Sequence, residues 1–317
     1  MPLALPIQLH GTELLLDGQP FDRPIARREG LRDPDVTALV AAGAVRQVVR
    51  GVYLDARVPD DLASRAACLR LRLPDDAVVG RLTAAWLFGV DGRMPYQLRE
   101  APLVECIVPP GRQPLRRPGV RCYVAPPADE VIVVDGIPTT TPTRTAVDCL
   151  RWLLPHMGLG VADGLAAAGL LCVPDLVSRV AEAAGLRGAV QARRLAPLVE
   201  PRTESMGESW LRLRVVDAGF PRPRVQIEVC DEDGGCVYRL DLGWDDERVA
   251  LEYDGEEHHS SPAQLGHDRR RREVLETTYG WRVLAVGKGE VLGRSLALER
   301  AIGELLSREP RILRRSW

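Results

Sequence analysis

Residues 248–255, Arg-Val-Ala-Leu-Glu-Tyr-Asp-Gly, decide how the last third of this chain is read. The run is rich in β-formers and closes on a glycine, and alternate side chains of a strand share a face. Val249, Leu251 and Tyr253 therefore lie on one side, with Glu252 and Asp254 on the other. Working backward, "RVQIEVC" and "CVYRLDLGW" are two further strands, joined by the hairpin signal "DEDGG". Asp241 ends the second of them and brings a third carboxylate alongside Glu252 and Asp254. Carboxylates held this close repel one another, and burial penalises their charged forms further. Such a cluster calls for a cation, and oxygen-only ligands suit Mg²⁺ or Mn²⁺. Asp241 and Glu252 are the expected metal ligands.

Upstream, "ESMGESWLRLRVVDAGF" is predicted to be an amphipathic helix that Ser205 opens and Gly219 ends. Glu208 stands three residues after Ser205, so it serves either as half of a capping box or as an acidic member of the site. Downstream, "GEEHHSS" places His258 and His259 at the mouth of the cluster, where imidazoles work as acid or base near neutral pH. A helix then carries Asp268 and the run Arg269 to Arg272, followed by the strand "WRVLAV" and a last helix. Of that run, Arg269 and Arg270 are the expected DNA contacts, together with His258.

The order and residues of 203–306 resemble the PD-(D/E)xK nuclease superfamily, most closely its branch related to the very-short-patch-repair (Vsr) endonucleases. The resemblance implies a restriction-endonuclease-like domain with a mixed central sheet. In it Asp241 stands at the metal-binding aspartate and Glu252 and Asp254 at the paired acidic element. His259 matches an active-site histidine, and Glu208 an acidic residue of the first helix. Catalysis would then rest on Asp241, Glu252, Asp254, His259 and Glu208, with Mg²⁺ or Mn²⁺ as cofactor and DNA as partner. One departure is plain: the lysine of the superfamily motif is Asp254 here, and Lys288 is the only lysine in the chain.

The rest of the chain shows no comparable chemistry. Residues 22–57 read as short helices followed by a hairpin turning at Gly51, the outline of a winged helix, with Arg46 and Arg50 placed for phosphates. Farther on, "LTAAWLFGV", "GIPTTTPTRTAVDCLRWL" and "GVADGLAAAGLL" resemble stations of AbiEi-type antitoxin and regulator proteins. That resemblance implies DNA binding by the N-terminus and a partner protein for the middle block. Thr141, Arg144 and Asp148 are read there as structural, with a threonine capping a helix. "PLVEPRTE", at 197–204, is the expected linker.

The expected architecture is thus α/β overall: a winged helix over 1–58, an α/β middle domain over 59–199 and the nuclease-like domain over 200–317. Composition adds limits. A net charge of −2, from 42 basic and 44 acidic residues, leaves nucleic-acid binding to local patches. Seven cysteines without a C-x-x-C pair disfavour structural zinc and favour a reduced, cytoplasmic protein. No apolar run approaches the roughly 18 residues of a membrane span. Two functions follow as alternatives: a metal-dependent DNA endonuclease, or a non-catalytic DNA-binding regulator or antitoxin whose nuclease-like domain is a scaffold.

Overall fold

The computed structural model describes residues 17–98, 100–114, 116–125, 130–255, 262–311 and 317, with the backbone alone for 262–268. Among the described residues the fold is mixed α/β with three sheets. Two compact units divide it, residues 1–148 and 149–317. No helix among the described residues is long and apolar enough to cross a membrane.

The first unit opens with β1 (Phe21–Asp22), α1 (Arg23–Arg28), α2 (Asp33–Ala41), β2 (Val45–Val49) and β3 (Val52–Asp55). Asp22 starts α1 by accepting from the Ile25 amide at 3.0 Å, with Pro24 in the first turn. The strands pair in the order β1-β3-β2. Gly51 makes the expected turn at φ +80°, a conformation that glycine adopts without penalty. Phe21 stacks on Tyr53 at 5.6 Å over a small core with Val36 and Leu39.

The chain continues through α3 (Leu62–Arg70), β4 (Val78–Val79), α4 (Arg81–Leu87), β5 (Val104–Val108), β6 (Val120–Val124), β7 (Val131–Val134), β8 (Ile137–Thr140) and α5 (Pro142–Trp152). Their sheet runs β6-β5-β4-β8-β7. Thr141 caps α5 as expected, its hydroxyl accepting from the Arg144 amide at 3.2 Å. Asp148 is buried and takes the Arg144 guanidinium at 2.8 Å.

In the second unit, α6 (Pro155–Ala167), α7 (Val173–Glu182) and α8 (Ala189–Leu195) precede α9 (Met206–Asp217). Then come β9 (Arg224–Cys230), β10 (Cys236–Trp244), β11 (Val249–Asp254), α10 (Pro262–Thr277), β12 (Arg282–Gly287), α11 (Lys288–Leu292) and α12 (Ala297–Leu306). The sheet order is β12-β11-β10-β9, with β11 and β12 parallel and the other pairs antiparallel. The "DEDGG" hairpin forms, with Cys236 opposite Cys230.

Helix α9 departs from the amphipathic expectation, being buried from Gly207 to Val215. Two arginines on it have almost no exposure. Arg212 pairs with Asp163 of α6 and also donates to the Leu198 carbonyl. Arg214 grips Glu299 of α12 with two bonds of 2.9 and 2.7 Å, and donates to the Val291 and Gly293 carbonyls around the end of α11. Gly160 of α6 admits the Met206 thioether into space that a Cβ would fill.

These contacts bear on the expected divisions at 58/59 and 199/200, both of which fall inside a compact unit. Val48, Val49, Val52 and Leu54 of the first hairpin share one core with Leu69, Trp86, Val104 and Ile137. Across the expected linker, the Glu200 amide donates to Asp163 at 2.9 Å beside the Asp163–Arg212 pair. Removing one partner of such a pair strands a charge in the interior. Asp163→Ala is expected to destabilise the second unit by about 3–5 kcal/mol in urea unfolding. A fragment starting at Glu200, which lacks Asp163, should likewise lose its cooperative transition. A fragment as stable as the full chain would mean that α6 contributes nothing to this core.

Candidate functional site

Helix α9 delivers Glu208 to the sheet. The Ser205 hydroxyl accepts from the Glu208 amide at 3.2 Å, half of the expected capping box. The other half is displaced by one residue: the Glu208 carboxylate accepts from the Glu204 amide at 3.1 Å, and from Gln226 Nε2 at 3.0 Å. Gln226 reaches it from a left-handed backbone, φ +51°, inside β9. A non-glycine residue held there costs on the order of 1–3 kcal/mol and marks a constrained position. Gly207 lets the helix start close against β11, because the Tyr253 ring occupies the place of its missing Cβ. Trp210 meets that ring edge-on at 6.5 Å.

Asp241 stands on β10 and accepts the Tyr253 amide at 2.9 Å, so a side chain takes a donor of the β11 backbone. Burial pushes its carboxyl up to about 6; the Tyr253 amide opposes this, while the charges of Glu208 and Glu252 add to it. Glu208, Asp241 and Glu252 thus form one electrostatic cluster, without Asp254, which the strand pattern places beside Asp241 and Glu252.

The cation in that cluster is an arginine. Arg271, on the sheet-facing side of α10, holds Glu252 with a two-bond fork of 2.7 and 2.6 Å. It donates further to the Arg239 carbonyl at 3.1 Å and lies over the Tyr238 ring. A bidentate guanidinium–carboxylate pair is among the stronger polar contacts available. Both Glu252 oxygens are engaged, and each of the other two carboxylates accepts an amide hydrogen. The donor set in this arrangement does not fit a divalent ion held by Asp241 and Glu252. Among the described residues, no group of three or more His, Cys, Asp or Glu side chains is placed to hold a metal.

The remaining expected residues are scattered. Asp254 is exposed at the end of β11. Arg269 and Arg270 are exposed on α10. Arg46 donates to the Val58 and Pro59 carbonyls, and Arg50 pairs with Glu100 at 2.6 Å. His258 and His259 lie outside the described residues. Arg271 and Gln226 were not singled out from sequence. Arg271 had a usable signal, since Leu275 one turn later is fully buried and residues four apart share a helix face.

Residues 76–198 match the family described as the AbiEi antitoxin C-terminal domain. Two uncharacterized proteins of Mycobacterium tuberculosis, MT2308 of strain CDC 1551 and Rv2248 of strain H37Rv, are each 32% identical to this chain over 248 residues. The alignment covers 78% of this chain and 87% of each relative. The chain belongs to their family. It is also similar to the crystal structure of the RV2827C protein from Mycobacterium tuberculosis, at 16% identity and a TM-score of 0.32, over 60% of this chain and 76% of that one. Glu208, Asp241, Glu252 and Arg271 all lie beyond the residues matched to the AbiEi antitoxin C-terminal domain.

The raised carboxyl of Asp241 has a pH signature. An unfolded aspartate titrates near about 3.9, so the folded state binds its proton first as pH falls. The cost of burying the charge is therefore complete above pH 6 and fades between 6 and 4. Asp241→Asn keeps an acceptor for the Tyr253 amide without the charge. It is expected to exceed the parent in stability by about 2–3 kcal/mol at pH 8, and by well under 1 kcal/mol, on the order of a few tenths, near pH 4. Urea unfolding at both pH values checks this; a pH-independent difference would refute the assigned cost.

Proposed function

We propose that the chain is a non-catalytic regulator of the antitoxin type, acting by binding DNA, with its C-terminal block serving as a nuclease-like scaffold. The match of residues 76–198 to the AbiEi antitoxin C-terminal domain carries this reading. The fork of Arg271 on Glu252 supports it, because an arginine fixed to the acidic strand occupies both oxygens of a carboxylate that a metal ion would need. Asp254 in place of a lysine points the same way.

On this reading the N-terminal block is a winged helix, and contacts to phosphate come from it and from Arg269 and Arg270. The N-terminal arginines stand in surface pairs, Arg27 with Asp33 and Arg32 with Asp35. Such exposed pairs are screened by solvent and contribute little, so phosphates can compete for them. A partner toxin held through the middle block is the protein-binding side of the same proposal.

A second reading, a Mg²⁺- or Mn²⁺-dependent endonuclease, draws on the gathering of Glu208, Asp241 and Glu252. It requires Arg271 to release Glu252, and it leaves the roles of Asp254, His258 and His259 as proposals.

One experiment separates the two. Purified full-length protein is titrated onto labelled duplex DNA at several salt concentrations, with EDTA and with Mg²⁺ or Mn²⁺, while plasmid integrity is followed. The regulator reading expects salt-dependent binding unaffected by EDTA and intact plasmid. Replacing Arg269 and Arg270 by alanine should lower the slope of log K against log salt by about 0.9 for each phosphate no longer neutralised. Cleavage that needs Mg²⁺ or Mn²⁺, stops with EDTA and disappears in Asp241→Asn would overturn it in favour of the nuclease.

A further inference from the structure

Strands β5 and β6 run parallel, and Cys106 and Cys122 are direct partners in their register. Neighbouring strands lie about 4.7–4.9 Å apart, within the Cα separation of about 4.4–6.8 Å that a disulfide spans. Both cysteines are free thiols, and their sulfurs are in contact at 3.2 Å. The register around them is pinned, since the Tyr123 hydroxyl donates to Glu105 at 2.8 Å and Arg121 lies 3.7 Å from the same carboxylate. Access to the two sulfurs differs. Cys106 is fully buried, and burial pushes its thiol up. Cys122 is half-buried on β6, which is an edge strand of the five-stranded sheet.

We propose that Cys106 and Cys122 are an oxidation-sensitive pair: hydrogen peroxide reacts at Cys122, and Cys106 closes a cross-strand disulfide. In the first step the Cys122 sulfur attacks one peroxide oxygen and the O–O bond breaks. Cys122 becomes a sulfenic acid, and one water forms with the thiol proton. In the second step the Cys106 sulfur displaces the hydroxyl group, the S–S bond forms, and the Cys106 proton leaves in a second water. Two thiols lose two electrons, and one peroxide becomes two waters. Reactivity of this kind follows access and thiolate character, with a neighbouring thiol to resolve the sulfenic acid. In a reducing compartment such a bond is transient, which suits a sensor more than a staple. The pair stands independently of the regulator and nuclease readings.

A second pair must be kept apart in any test, because Cys230 and Cys236 also face each other, exposed at the β9–β10 hairpin. Changing the exposed Cys172, Cys230 and Cys236 to serine leaves four of the seven thiols. The full-length variant is treated with hydrogen peroxide, its thiols are counted after denaturation, and non-reducing tryptic peptides are mapped by mass. Four thiols should fall to two, with one linked peptide pair carrying Cys106 and Cys122, and dithiothreitol should restore all four. Adding Cys122→Ser should leave three thiols before and after peroxide. The same linked peptides are expected from the parent chain, which covers failure of the variant to fold. Four surviving thiols, a different linked pair, or Cys122 as sulfinic acid without a cross-link would each refute the proposal.

Discussion

Two arginines separated by one residue hold the second unit together. At about 100° per residue on a helix, Arg212 and Arg214 leave α9 on nearly opposite sides. One reaches α6 and the other α12. Each is almost unexposed, and each meets a carboxylate together with backbone carbonyls. Burying a guanidinium is costly unless its hydrogens are satisfied. Arg214 engages all three of its nitrogens, whereas Arg212 Nε has no partner among the described residues. The carbonyls ending α11 contribute here, because the last turn of a helix leaves its acceptors unpaired. The position of α9 sets everything that follows from it, since Glu208 and the glycine beneath Tyr253 lie in its first turn.

A third arginine gives the carboxylate cluster its character. Three acidic groups near one another need positive charge, and Arg271 supplies it from α10 with a geometry matched to a carboxylate. A guanidinium stays protonated across the ordinary pH range, so this neutralisation is permanent, whereas a metal ion comes and goes. A cluster of acidic side chains can therefore have part of its charge offset from inside the chain, and fold alone does not make it a catalytic centre.

Much of this was legible from sequence, for local reasons. The "DEDGG" turn, the Thr141 cap and the Gly51 turn depend on neighbours a few residues away, and each formed as read. The closeness of Asp241 to Glu252 also followed from strand periodicity and a hairpin, and their charges do interact. What escaped the reading involves partners far along the chain. Arg212 meets a residue 49 positions away and Arg214 one 85 away. Patterning assigns such side chains to solvent, so α9 read as amphipathic. The expected linker is tied by a distant partner in the same way: its proline and charged residues look loose in sequence, while the Glu200 amide donates to a buried aspartate 37 positions away.

The Asp163–Arg212 contact also constrains how this protein can change over generations. Asp163 lies inside the segment that matches the AbiEi antitoxin C-terminal domain, and Arg212 lies outside it. Neither can be lost alone without stranding a charge, so drift at one position selects for compensation at the other. Recombination that joined the shared segment to an unrelated C-terminus would inherit an aspartate without its counter-ion. The two stretches depend on each other for a buried counter-charge, whatever boundary their sequences suggest.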